Sequence, residues 1–128
     1  PTGKGQAPFI DTHDIGAVAA EVIEHASEFN KETLYLTGSV AMDLHEAARI
    51  FSDVLGREIT YTDPDDETYR KEMEQRGFSK PYIDAMIAVF GKIKTGQVAQ
   101  TSDGIEQILG RKPAPLRDYI ERNKSVFV

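Results

Sequence analysis

Three short strand-like stretches, each followed by helical sequence, constrain the fold of this chain more than any other feature. Phe9–Asp11 read as the end of a strand. "TLYLTG" (33–38) is β-branched and aromatic and closes on a glycine turn, and "EITYTD" (58–63) repeats that character. Parallel strands separated by helices need further strands alongside before a sheet is stable. The middle stretch is nearly continuous in apolar character, as buried parallel strands are. The expected order is β-α-β-α-β followed by four helices. The chain therefore reads as the helix-rich tail of a larger α/β protein, with few short strands and about six helices.

The helical stretches carry their own start and stop signals. Ile15, Val18, Ala19, Val22, Ile23, Ala26 and Phe29 recur at helical spacing, with Asp11 or Thr12 as the cap and Asp14 in the first turn. Gly16 inside this helix implies a neighbouring backbone close by, since glycine weakens a helix by about 1 kcal/mol relative to alanine. Asp43 and Glu46 form a capping-box pair, and Gly56 stops the helix they open. Asp63-Pro64 reads as a cap and first helical position, for a polar helix ending near Gly77. Ser79 caps a longer helix with Ile83, Met86, Ile87, Phe90 and Ile93 on its stripe. "DGIEQIL" is short and ends at Gly110, and a last helix runs from Pro115 to about Asn123.

A length of 128 residues suits one domain, with no internal repeat or linker. Net charge is −6 and the basic residues are scattered, Lys92/Lys94 and Arg111/Lys112 being the densest pairs. Neither makes a phosphate-tracking stripe, so nucleic acid is not an expected partner, and no helix has the basic face of a membrane binder. No apolar run reaches the roughly 18 residues of a membrane span. Cysteine is absent, which removes disulfides and thiolate metal sites and makes a cytoplasmic location the default expectation.

The familiar catalytic patterns do not occur. Gly3-Lys4-Gly5 has glycines, but no strand leads into it and no helix starts on it, so it does not read as a dinucleotide loop. No tyrosine is followed by lysine four residues later, and Ser39 and Ser79 lie outside any nucleophile elbow. His13 sits at a strand-to-helix turn and reads as a turn residue, while His25 and His45 read as solvated. "DPDDE" (63–67) reads as helix-cap acid rather than a calcium loop. No catalytic, cofactor-binding or metal residues are assigned.

"FIDTHDIGAVAAEVI", "LYLTGSVAMDLHEAARIFSDVLGREITYTD" and "GFSKPYIDAMIAVFGKIKTGQVAQTSDGIEQILGRKPAPLRDYI" together resemble the C-terminal half of NmrA-like, atypical short-chain dehydrogenases, over about residues 2 to 122. That group includes quinone reductases, azoreductase-like enzymes and redox-sensing regulators. The resemblance implies that residues 1–128 form one C-terminal, substrate-binding portion of a Rossmann-type protein whose dinucleotide-binding half is absent. It further implies NAD(P)H as the cofactor of the intact protein, none for this chain alone, and a small-molecule substrate.

Phe9, Tyr82, Met86 and Phe90 form the candidate wall for a small, flat, apolar acceptor such as a quinone. Related enzymes acting on nucleotide sugars tend to carry an arginine where this chain has Ala7, so a diphosphate has no charged clamp here. Pro115 stands where the family often has Ser or Thr before the last helix. The alternative implied function is a non-catalytic redox sensor that binds the dinucleotide and a protein partner. The isolated chain is expected to be catalytically silent and to form a homo-oligomer through its uncovered apolar stripe and strand edge.

Overall fold

Side-chain caps start three of the six helices among the described residues, and left-handed glycines end two of them. The computed structural model describes residues 1–29 and 33–127. Its elements are β1 (Ala7–Pro8), α1 (Thr12–Glu24), β2 (Ala41–Met42), α2 (Leu44–Leu55), α3 (Asp66–Gln75), α4 (Lys80–Lys94), α5 (Gly104–Leu109) and α6 (Leu116–Arg122), followed by a 3-10 turn over Lys124–Val126. The chain is thus α/β, with six helices and few short strands among the described residues.

Asp11 caps α1 by accepting the His13 N–H at 2.8 Å. The capping box of α2 is complete: Asp43 accepts the Glu46 N–H at 2.8 Å, and Glu46 accepts the Asp43 N–H at 3.1 Å. Gly56 and Gly110 end α2 and α5 in the left-handed conformation.

Two helix boundaries differ from expectation. The cap of α3 is Asp65, which accepts the Thr68 N–H at 2.7 Å, rather than Asp63. The Asp63 carboxylate is already taken by the Gly3 N–H and the Tyr61 hydroxyl. Helix α1 stops at Glu24, short of Phe29. Ile23, in its last turn, is 77% exposed, so the apolar stripe finds no cover there to hold another turn.

The strands differ more. The ladder lies just before Phe9 and is antiparallel, with Ala7 opposite Met42 and Pro8 opposite Ala41. Residues 33–38 and 58–63 form no regular element and join no ladder among the described residues. Side-chain hydroxyls serve their backbones instead. Thr37 Oγ1 accepts the Ser102 N–H at 2.8 Å, and Ser102 Oγ donates to the Tyr35 carbonyl. Ser52 Oγ accepts the Ile59 N–H at 2.8 Å and hydrogen-bonds the Ile59 carbonyl at 3.1 Å. The segment 33–38 is also wedged tightly. A Cβ on Gly38 would stand 1.9 Å from the Phe9 carbonyl oxygen, and one on Gly104 would stand 2.4 Å from that of Tyr35.

Packing is pairwise: α1 on α5, α2 on α6, and α3 on α4. Val18, Ala47, Ile83, Ile105 and Ile120, one each from α1, α2, α4, α5 and α6, form the buried hydrophobic set among the described residues. Each isoleucine in that set contributes about 1.5–3 kcal/mol by leaving water. The α3–α4 hairpin is further joined by an Arg70–Asp84 ion pair at 2.6 Å and by Tyr69 edge-on to Phe90. The Arg70 hydrogen bond, followed by that of Lys80, holds the Asp84 carboxyl below its usual range.

Candidate functional site

Two buried carboxylates at the start of α1 organise the neighbouring groove. Asp14 accepts the Ala114 N–H at 2.7 Å through one oxygen and pairs with Arg111 at 2.7 Å through the other. Asp11, besides capping α1, pairs with Arg122 at the end of α6. Both carboxylates are buried, so these hydrogen bonds replace the water they have lost. Together they pin the 111–116 loop and α6 over the N-terminus of α1.

The pinned loop forms one wall of an apolar cavity of about 290 Å³. Ala114, Pro115 and Leu116 line it together with Phe9 and Ile10. Leu44, Ala47 and Phe51 of α2 supply the floor, with Tyr119 of α6 at the side. A second recess shares Phe9, Ala114, Pro115 and Leu116 and runs on toward Met42 and Ile50, so Phe9 stands where the two meet.

Of the four residues read from the sequence as an acceptor wall, Phe9 alone lines this groove, to which α4 contributes no residue. Tyr82, Met86 and Phe90 lie at four-residue spacing along α4 and share one face of it. Tyr82 is half exposed and stacks on Phe78 with ring centres 5.1 Å apart, while Phe90 turns inward onto Tyr69. The structure thus gives two aromatic surfaces, one around Phe9 and one along α4. Sequence reasoning missed Phe51 and Tyr119 as cavity walls, because each reads as an ordinary helix stripe. Only the long-range packing of α2 on α6 brings them together.

The glycines near the N-terminus serve packing. The Gly3 N–H donates to Asp63 at 3.1 Å, and a Cβ on Gly5 would stand 2.2 Å from the Ile93 carbonyl oxygen at the end of α4. The Gly3 hydrogen bond, with that of Tyr61, holds the Asp63 carboxyl at about 2, below its usual range. His13 flanks the Asp11 and Asp14 pairs, His25 pairs with Glu21 at 3.1 Å, and His45 lies edge-on to Tyr61. Pro115 stands at the N-cap of α6 without a side-chain cap. No helix among the described residues is long and apolar enough to cross a membrane.

An α/β chain with this helix order and a groove beside its first helix has clear relatives. Residues 1–122 match the NmrA-like family, and the chain belongs to it. It is similar to prestalk A differentiation protein A of Dictyostelium discoideum, with 26% identity over 98% of this chain and 41% of the relative. An NAD(P)H azoreductase of Xenophilus azovorans is 24% identical over 99% of this chain and 44% of its own length. The NADPH-dependent quinone oxidoreductase of Escherichia coli, solved with NADPH, superposes with a TM-score of 0.77 at 18% identity, over 96% of this chain and 43% of that one. The chain therefore spans less than half the length of the curated relatives it matches.

Proposed function

We propose that this chain is the substrate-binding part of an NAD(P)H-dependent oxidoreductase that reduces a small, flat, apolar acceptor such as a quinone. Membership of the NmrA-like family is the observation that carries this reading. The names of its relatives, an azoreductase and a quinone oxidoreductase, support it. The Phe9 groove and the Tyr82–Met86–Phe90 face of α4 offer aromatic surface for stacking on such an acceptor. Ala7 leaves the strand before Phe9 without the guanidinium a diphosphate would need.

The chain by itself binds no dinucleotide on this reading, because hydride transfer needs a cofactor held against the acceptor and its one Gly-x-Gly loop is committed to Asp63 and α4. Stopped-flow oxidation of NADPH by the full-length protein against a panel of quinones tests the reading. Turnover with at least one quinone is expected. Dinucleotide binding without turnover of any acceptor would favour a redox-sensing regulator. Calorimetric titration of the 128-residue chain with NADPH tests its silence, and micromolar binding would overturn that part.

A further inference from the structure

The cavity between α2 and α6 has its own ligand chemistry. We propose that it is a binding site for a neutral aromatic molecule of one or two fused rings, and that Phe127 sets its width. The inference deepens the acceptor reading and rests on it only for the part played by Phe9.

Three aromatic side chains, Phe9, Phe51 and Tyr119, line the cavity together with Leu44, Ala47 and Leu116. Such a lining favours a flat apolar ring. Its volume of about 290 Å³ falls at the lower edge of the roughly 300–1,000 Å³ typical of ligand pockets, which limits the ligand to a small one. Charge is excluded on both sides. Asp11 at the rim is neutralised by Arg122 and caps α1, so it attracts no cation, and that arginine is committed to Asp11 rather than open to an anion. The hydroxyls of Thr12 and Tyr119 are the only ones in the lining, and they suit a carbonyl or hydroxyl on the ring's edge.

Phe127 backs this wall. Its ring stands edge-on to Phe51 at 5.2 Å and tilted against Tyr119 at 6.4 Å. Arg57 donates to the Phe127 carbonyl at 2.6 Å and ties the C-terminal turn to the end of α2. Phe127 is therefore a positioning residue: it holds the two wall rings at a fixed spacing.

The test uses the 128-residue chain without any dinucleotide, with 2-naphthol as the two-ring probe and 1-hydroxypyrene as a larger one. Saturable one-to-one binding of 2-naphthol is expected, with amide shifts confined to Leu44, Ala47, Phe51, Leu116 and their neighbours, and at least tenfold weaker binding of 1-hydroxypyrene. Ala47→Leu, which fills the floor, should weaken 2-naphthol at least tenfold. Phe127→Ala should narrow the preference between the two probes. Shifts centred elsewhere, or unchanged affinity in a folded Ala47→Leu chain, would overturn the proposal. If that variant fails to fold, nuclear Overhauser contacts from the probe to the Leu44 and Leu116 methyls in the unaltered chain decide, and their absence overturns it. Because no turnover is measured, a failed cavity leaves the reductase reading standing, and a reductase failure leaves the cavity standing.

Discussion

Asp14 and Arg111 form an ion pair at 2.7 Å although 97 positions separate them, and the carboxylate is 1% exposed while the guanidinium is half in water. The second Asp14 oxygen takes the Ala114 N–H at 2.7 Å, so one side chain fixes both the start of α1 and the loop that walls the groove. Asp14→Ala removes both bonds and leaves the Ala114 N–H without its acceptor. A loss of about 2–3 kcal/mol is expected for a charge-assisted pair of this kind. Arg111→Ala should cost less, since Asp14 keeps the Ala114 N–H and the favourable end of the α1 dipole. Urea denaturation of the two variants checks the order, and an Arg111 variant less stable than the Asp14 variant would contradict it.

Gly16 and Gly38 should respond to alanine in opposite directions. Nothing lies within 4 Å of a Cβ built on Gly16, so the close backbone expected from its place inside a helix is absent. Gly16→Ala is therefore expected to stabilise the chain by about 0.5–1 kcal/mol through helix propensity. A Cβ on Gly38 would meet the Phe9 carbonyl at 1.9 Å, and the obstacle is backbone rather than a flexible side-chain end. Gly38→Ala must displace Phe9 and should cost upwards of about 2 kcal/mol, as severe overpacking does. Thermal melting of both variants checks the pair of signs.

The difference between these glycines shows which parts of the fold the sequence could express. Local signals were legible: the Asp43/Glu46 box, the Gly56 and Gly110 stops and the Asp11 cap all act within four residues of themselves. The cap of α3 was misread because Asp63 and Asp65 flank the same proline. The choice between them was made by Gly3 and Tyr61, one of them 60 positions away. The strands were least legible. The residues with β character, 33–38 and 58–63, find hydroxyls instead of ladder partners, while the ladder pairs Ala7 and Pro8, at the head of the first strand-like stretch, with Ala41 and Met42, which carry no strand signal. Of the groove, only Phe9 stood out, because Leu44, Ala47 and Phe51 belong to a stripe that reads as core, and Ala114 and Pro115 to a turn.

Acid should loosen the N-terminal loop as the pH falls from about 4 toward 2. The Gly3 hydrogen bond, and after it that of Tyr61, lowers the Asp63 carboxyl from 3.8 to about 2. A depressed carboxylate contributes stability that is present above the unfolded value and lost as pH falls through the folded one. The contribution of Asp63 is therefore full above about pH 4 and disappears toward pH 2. Carboxyl carbon titration by NMR should place its midpoint near the lower figure, and Gly3 amide protection should fall in parallel. Asp63→Asn should remove that pH dependence. A midpoint close to 3.8 would contradict the assignment.

Association is the last expectation. Ile23 and Tyr35 are 77% and 76% exposed, and Ile15 and Val40 are also open to solvent. Residues 33–38, which include Tyr35, join no ladder among the described residues. Large apolar side chains open to water favour association. Helix α5 already packs on α1, and Val18 and Ile105 are buried, so the surface left for a partner is the outer turn bearing Ile23 together with the segment bearing Tyr35. Light scattering at micromolar concentration should give at least twice the 14.2 kDa of one chain. Ile23→Glu combined with Tyr35→Lys puts charge on both surfaces without touching the buried set, and it should return the mass to a single chain with the helical circular dichroism intact. A monomeric unaltered chain would show that these surfaces do not associate, and an oligomer unmoved by the double variant would place the contact elsewhere.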